Sequence, residues 1–206
     1  MFEKLKIIIV VAFFAIFAMP AFAYDSETNY DAKTVAKIEA YLNNLTTFTA
    51  DFVQIDAAGM LSDGKFYLSR PGKFRWEYNP PVPIVITASA GFVNYYDTEL
   101  KQANHVFLSS TPAGILADKK IELEKENIIE IKQQFGTTSI NIQDDDDGNL
   151  TLVFADKPML LESMVIQDSV GQKTNIIFSN QKTGMKLKKK LFLPLNPHEY
   201  NKPNRR

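Results

Sequence analysis

The chain has 206 residues, of which 45% are hydrophobic and 23% are charged, and it contains no cysteine. Its formal net charge of −1 at pH 7 gives no global electrostatic attraction for nucleic acid, so we expect no nucleic-acid partner. Without cysteine the chain has neither a disulfide framework nor a residue for N-terminal lipidation, so a hydrophobic core must stabilise it.

Residues 1–23 have the pattern of a secretory signal peptide. Two lysines precede an apolar stretch over 7–19, and a site of small residues follows and ends at Ala23. The stretch is shorter than the roughly 20 residues that a transmembrane helix requires. We therefore predict cleavage after Ala23, which changes the formal charge to −2 because two lysines and one glutamate are lost. The remaining chain, 24–206, is expected to form a single soluble domain in the periplasm.

The segment between Asp31 and Leu45 carries apolar residues at helical spacing, which predicts an amphipathic helix that starts at Asp31 or a neighbour. From Phe48 the period changes to two, which is typical of a strand with one buried face. The same alternation predicts further strands over 65–69, 73–78, 84–87, 92–97, 102–108, 138–143, 150–155, 160–167, 174–179 and 187–193. Turns that contain glycine separate several of them, as in antiparallel hairpins.

Two segments interrupt the strand pattern. Thr111 and Pro112 predict a helix N-cap followed by proline at the first helical position, hence a short helix through Leu116. Residues 119–134 satisfy neither period throughout, and we interpret them as strand-rich. The expected fold is mainly β with helices (α+β). It is a curved, incompletely closed antiparallel β-barrel of about eleven strands, with a helical lid over a hydrophobic cavity.

The run 73–78 shows the alternation most clearly, because three aromatic side chains share one face and charged side chains share the other. A concave face lined by rings either packs into an ordinary core or holds an apolar ligand, and the pattern leaves both interpretations open. The candidate cavity residues are Phe48, Phe52, Phe66, Leu68, Phe74, Trp76, Tyr78, Ile115 and Leu116.

Five motifs follow one another over nearly the whole mature chain. They are 48–54, 64–78 with its Arg-Pro-Gly-Lys-Phe-Arg-Trp core, Tyr96-Asp97 with Leu100-Lys101-Gln102, 111–116, and Leu191-Phe192-Leu193-Pro194. In this order and spacing the chain resembles the periplasmic outer-membrane lipoprotein carrier family, LolA. One departure is that Asn94 or Tyr95 stands where family members commonly have tryptophan.

The resemblance implies a carrier that shields the acyl chains of lipoproteins in its cavity. It would receive them from an inner-membrane ABC transporter of the LolCDE type and pass them to an outer-membrane receptor of the LolB type or equivalent. Arg70 would be a latch that hydrogen-bonds to the lid in the closed, empty state, and Phe74 a ring near the mouth that is associated with cargo transfer. We expect a monomer without enzymatic activity, cofactor or metal.

Other interpretations remain open. A related periplasmic lipid-binding or envelope-stress-sensing protein would use the same barrel, since a fold does not determine its cargo. An enzyme is disfavoured, because His105 and His198 are the only histidines and no nucleophile, base or metal motif is evident. Without the resemblance, Arg70 would be read as a solvated residue at a strand end.

The basic cluster Lys186, Lys188, Lys189 and Lys190 falls on the last predicted strand. There it would blunt a sheet edge, or alternatively bind anionic headgroups or a transporter. The acidic run 144–147 resembles a calcium loop only superficially, because the ligand spacing of an EF-hand fails, and we interpret it as a solvated turn.

Overall fold

The computed structural model describes residues 31–143 and 148–195. The predicted signal peptide, the acidic run 144–147 and His198 lie outside the described residues. Within the described ranges the longest helix has 13 residues, and none is both long and apolar enough to cross a membrane.

The described chain contains one α-helix, eleven strands and four short 3₁₀ turns. The helix α1 spans Ala32–Asn44 and precedes all of the strands. The strands are β1 (Thr47–Ile55), β2 (Leu61–Ser69), β3 (Lys73–Tyr78), β4 (Ile84–Ser89), β5 (Phe92–Asp97), β6 (Gln102–Phe107), β7 (Ile128–Gln134), β8 (Thr137–Gln143), β9 (Asn149–Asp156), β10 (Met159–Gln167) and β11 (Lys173–Thr183). The 3₁₀ turns are Leu108–Ser110, Pro112–Ala117, Lys125–Asn127 and Lys189–Phe192.

All eleven strands form one antiparallel sheet in the order β6-β5-β4-β3-β2-β1-β11-β10-β9-β8-β7. Consecutive strands pair as hairpins, and the pairing of β1 with β11 joins the two runs of hairpins at the centre. The strands β6 and β7 are the two edges and do not pair with each other. The expected incompletely closed barrel is therefore confirmed.

Helix α1 is amphipathic, as its apolar spacing predicts, and it covers the β7–β10 half of the sheet. Asp31 caps the helix, accepting hydrogen bonds from the Lys33 amide (3.1 Å) and the Thr34 hydroxyl (2.5 Å). These bonds lower the pKa of the exposed Asp31 carboxyl, and the bond from the Thr34 hydroxyl has the largest effect. On the buried side, the ring of Tyr41 meets the ring of Phe154 edge-on at 5.6 Å. The Tyr41 hydroxyl also accepts a hydrogen bond from the Leu161 amide at 2.9 Å.

A cluster of aromatic rings fills the centre of the sheet. Phe66 stacks on Trp76 with ring centroids 4.1 Å apart, and Phe52 meets Trp76 edge-on at 4.9 Å. Phe178 of β11 joins the cluster, 5.7 Å from Phe66. Because edge-on and offset rings add attraction beyond the area that they bury, the cluster holds β1, β2, β3 and β11 together.

The predicted strand over 187–193 is wrong. This segment forms the 3₁₀ turn Lys189–Phe192, which lies against β3 and β4 on the outer face of the sheet. Phe192 is buried there, and the Leu191 carbonyl lies 3.4 Å from the Arg75 guanidinium that donates to it. Both sheet edges are occupied by other strands, so the basic cluster Lys186–Lys190 does not blunt an edge, and that interpretation is also wrong.

The two ambiguous segments are less regular than expected. Of residues 119–134, only Ile128–Gln134 forms a strand, and the part before it runs alongside α1. The predicted short helix is the 3₁₀ turn Pro112–Ala117. Thr111 makes no capping bond with its side chain, because its hydroxyl donates instead to the Leu108 carbonyl (2.8 Å).

Candidate functional site

Arg70 joins the end of β2 to both segments that cover the sheet. We call α1 together with residues 108–123 the lid. The Arg70 Nε donates a hydrogen bond to the Asp118 carbonyl at 2.7 Å, and Nη1 donates to the Leu42 carbonyl near the end of α1. Nη2 lies 3.4 Å from the side-chain oxygen of Asn43. One side chain thus contacts the helical and the extended part of the lid at once.

The electrostatics of this contact reflect partial burial. Desolvation lowers the pKa of the Arg70 guanidinium from its usual value, and the nearby charge of Asp118 opposes that change. Burial likewise raises the pKa of the Asp118 carboxyl, and Arg70 opposes it. Arginine remains charged under these conditions, so the hydrogen bonds to the lid are charge-assisted.

Polar residues of α1 hold the extended part of the lid. The Asn43 amide group donates to the Ile121 carbonyl at 2.8 Å, and its oxygen accepts from the Ile121 amide at 2.9 Å. Glu39 accepts from the Leu123 amide at 2.7 Å. Sequence reasoning missed these contacts. Nothing in the helical spacing of α1 distinguishes a polar residue that pairs with a distant backbone from one that faces water.

A cavity of about 380 Å³ opens on the concave face beneath the β3–β6 half of the sheet. This volume lies at the lower end of the range of roughly 300–1,000 Å³ that is typical of ligand pockets. The lining contains no charged side chain. It comprises Gln54, Phe74, Trp76, Tyr78, Ile86, Val93, Tyr95, Asn104, Val106, Thr111, Ile166, Thr174 and Ile176.

The two tyrosines of the lining stay neutral at ordinary pH. Burial raises the pKa of Tyr78 to about 12, with the charge of Tyr95 as a second cause, although a 2.7 Å hydrogen bond to Gln54 opposes the rise. Burial also raises the pKa of Tyr95. An uncharged, mostly apolar cavity has no group to bind an ionic ligand and suits a hydrocarbon chain.

The nine candidate cavity residues are divided between the cavity, the packed core and a second pocket. Phe74, Trp76 and Tyr78 line the cavity. Ile115 lines a separate pocket of about 430 Å³ between the segment 108–127 and strands β8 and β9. The remaining five do not line the cavity, and each is no more than 2% exposed: Phe48, Phe52, Phe66, Leu68 and Leu116.

Several lining residues were missed by sequence reasoning. Ile86 pairs with Trp76 across β3 and β4, so its inward direction follows from the register. Val106 of β6 and Ile176 of β11 likewise face the cavity. Alternation identifies the inward face of each strand but not which inward residues border empty space. In the position of the family's tryptophan, it is Tyr95 that lines the cavity.

Comparison with known proteins agrees with this architecture. The family model described as "Outer membrane lipoprotein carrier protein LolA" matches residues 43–194. A relative from Methylococcus capsulatus, called "Outer-membrane lipoprotein carrier protein", is 30% identical over 192 residues, which cover 88% of this chain and 92% of the relative. A relative from Pseudomonas entomophila with the same name is 31% identical over 163 residues, which cover 74% and 79%.

A solved structure shares the fold at lower sequence similarity. It is an uncharacterized conserved protein from Thermus thermophilus, with a TM-score of 0.50 and 11% identity, and the match covers 84% of this chain and 95% of that one. The family model spans most of the described residues, and the first relative is matched over nearly its full length. The chain therefore belongs to the LolA family of outer-membrane lipoprotein carrier proteins.

Proposed function

We propose that this protein carries lipoproteins through an aqueous compartment by burying their acyl chains in the cavity beneath β3–β6. The observation that carries the proposal is an uncharged cavity, lined by rings and aliphatic side chains, which the lid borders at Thr111 and beside which polar contacts hold the lid in place. The names of the two relatives support the same role. The proposed role is the burial of acyl chains and is not enzymatic.

Energetics explain why such a carrier needs a lid. Each methylene that leaves water contributes about 0.8 kcal/mol, so one long acyl chain gains on the order of 10 kcal/mol before costs. A pocket that kept all of this gain would not release its cargo. Closure of the lid over the empty cavity supplies an opposing free energy, because it favours the state without cargo.

Arg70 is the proposed latch of that closure. Hydrogen bonds to charged groups contribute about 1.5–3 kcal/mol, which biases an open and closed equilibrium by one to two decades. The hydrogen bonds from Arg70 to the lid, together with the small cavity, support this role. Phe74, at the start of β3, is the proposed ring near the mouth.

The remaining expectations belong to the same proposal. The signal peptide 1–23 is removed, and 24–206 works as one soluble monomeric domain in the periplasm. The source of cargo is an inner-membrane ABC transporter of the LolCDE type, and the acceptor is an outer-membrane receptor of the LolB type or equivalent.

The test is binding of a purified diacyl lipopeptide, followed through the fluorescence of Trp76. Val106→Asp places a carboxylate in the cavity from an edge strand, where Val106 is 51% exposed. Because that charge would have to be desolvated beside the acyl chains, we expect affinity to fall at least about tenfold. The matched control is Ile177→Asp, since Ile177 is 48% exposed on the outer face.

Equal loss of lipopeptide affinity in both variants, or no loss in either, would contradict the proposed site.

Capture of bound material from periplasm, with mass spectrometry of lipids and proteins, identifies the cargo. Recovery of free lipids without lipoproteins would favour the alternative of a lipid-binding or stress-sensing relative on the same barrel.

A further inference from the structure

Phe135 is fully exposed at the tip of the β7–β8 hairpin. It and Gly136 both have positive φ, at 52° and 81°. A two-residue turn of this kind favours Asn-Gly, because most side chains are strained at positive φ. Phe135 therefore costs conformational free energy and contributes nothing to the core. Neither the turn nor packing explains an aromatic ring at this position.

Two hydrogen bonds place lysines beside the Phe135 turn. The Asp156 amide donates to the Gly136 carbonyl at 2.9 Å, which brings the β9–β10 turn and the exposed Lys157 to the hairpin. The Gln133 side chain donates to the Thr34 hydroxyl at 2.9 Å, which brings the first turn of α1 and the exposed Lys33. Salt bridges of the described residues involve neither lysine.

Two nearby carboxylates accept hydrogen bonds from neutral groups. Asp156 accepts a hydrogen bond from the Thr138 hydroxyl at 2.6 Å, and Asp31 caps α1. Lys132, three residues before Phe135, pairs with Glu130 at 2.7 Å. Beside the ring, the ammonium groups of Lys33 and Lys157 are exposed and lie outside the salt bridges of the described residues, while the exposed Asp31 carboxylate near Lys33 keeps its own negative charge.

The two ends of the sheet differ in charge. The antiparallel register places Lys73, at the start of β3, and Lys182, near the end of β11, at the same end as the Phe135 turn. At the opposite end, three hairpin turns begin with aspartates whose carboxylates accept backbone amides: Asp56, Asp97 and Asp168. The aromatic tip thus lies at the end that carries Lys73 and Lys182, whereas the other end carries these aspartates together with Lys101 and Lys173.

We propose that the Phe135 end docks reversibly on an anionic lipid bilayer, with the ring at the headgroup boundary and Lys33 and Lys157 over the headgroups. Aromatic rings favour that boundary, and lysines near an anionic surface each strengthen binding about fivefold. A single aromatic ring can enter the headgroup region of a bilayer without a complementary pocket, which a protein partner would have to provide. A protein partner is less favoured, because the Phe135 turn, the β9–β10 turn and the first turn of α1 expose no second large apolar side chain.

The test is flotation of the full mature chain with vesicles that contain phosphatidylglycerol, compared with vesicles of phosphatidylcholine alone. We expect binding only to the anionic vesicles, reduced by added salt. Phe135→Asn should weaken it about tenfold. Since Asn-Gly suits this turn, the variant should melt no lower than the original chain. Lys157→Gln should weaken binding about fivefold.

The matched control is Leu61→Asn, because Leu61 is equally apolar and 71% exposed at the opposite end of the sheet. It should bind vesicles like the unchanged protein. Equal binding of Phe135→Asn and the unchanged chain, equal binding to both kinds of vesicle, or no binding at all would overturn the proposal. Lipopeptide binding by Phe135→Asn should be unchanged, so this test and that of the proposed cargo site fail independently.

Discussion

The two halves of the sheet differ in what covers their concave face. Over β7–β10, α1 packs against the strands, and inward residues such as Leu152, Phe154 and Met164 are completely buried. Over β3–β6 the inward residues border a cavity, and Tyr95 and Val106 remain about half exposed. The same strand alternation therefore yields a packed core in one half and a candidate binding site in the other.

The difference separates stability from function within one sheet. A packed half anchors the fold, whereas a half with unfilled volume can accept a ligand without displacing a core. Arg70 connects the end of β2 to α1, so movement of the helix over the packed half requires those hydrogen bonds to break. The following experiments act on one half at a time.

Truncation in the packed half should have the largest effect. Phe154→Ala removes a buried ring that packs against Tyr41, and we expect the free energy of unfolding to fall by about 3–5 kcal/mol. Val106→Ala in the cavity half should cost less than about 1 kcal/mol, because that side chain is half exposed. Urea unfolding of both variants measures the contrast. Similar losses would show that the halves are equally packed.

Substitution of Arg70, the proposed latch, should alter cargo transfer more than stability. Arg70→Leu loses the charge-assisted bonds to the Leu42 and Asp118 carbonyls, which shifts the lid toward the open state by about 1.5–3 kcal/mol. We expect the variant to load lipopeptide but to pass it on about ten times more slowly or worse. Arg70→Lys keeps the positive charge but loses the forked donors of the guanidinium, so its transfer rate should lie between those of the original chain and Arg70→Leu. A transfer rate to an acceptor that equals the original would refute the latch.

High pH should lower the free energy of unfolding through Tyr78, which lines the cavity. The pKa of Tyr78 is raised from 10.0 to about 12, so the folded state keeps a proton that the unfolded state releases. The stabilisation is complete below pH 10 and is lost as pH rises from 10 to 12, on the order of 2 kcal/mol. Urea unfolding across this range measures it. Tyr78→Phe should remove that part of the pH dependence, and an unchanged slope would mean that Tyr78 titrates normally.

For the cavity half, the sequence predicts which face of each strand points inward but not which inward residues border the cavity. Alternation at 73–78 identifies the inward rings of β3, and the turns predict the order of hairpins. It does not distinguish Phe66, which is packed, from Trp76, which borders the cavity, because both lie on inward faces. The segment 187–193 shows a second limit, since apolar residues that cover the outer face of a sheet mimic a strand.

The smallest expected effect concerns Asn43, whose role no sequence pattern revealed. Its amide makes two hydrogen bonds to the backbone of Ile121, so Asn43→Ala leaves that backbone unpaired and should destabilise the closed lid by about 1–2 kcal/mol. Hydrogen exchange at the Ile121 amide should then accelerate about fivefold to thirtyfold. The neighbouring exposed Asn44 provides the matched control, because Asn44→Ala leaves these bonds intact. Equal exchange in the two variants would mean that Arg70, and not Asn43, holds the extended part of the lid.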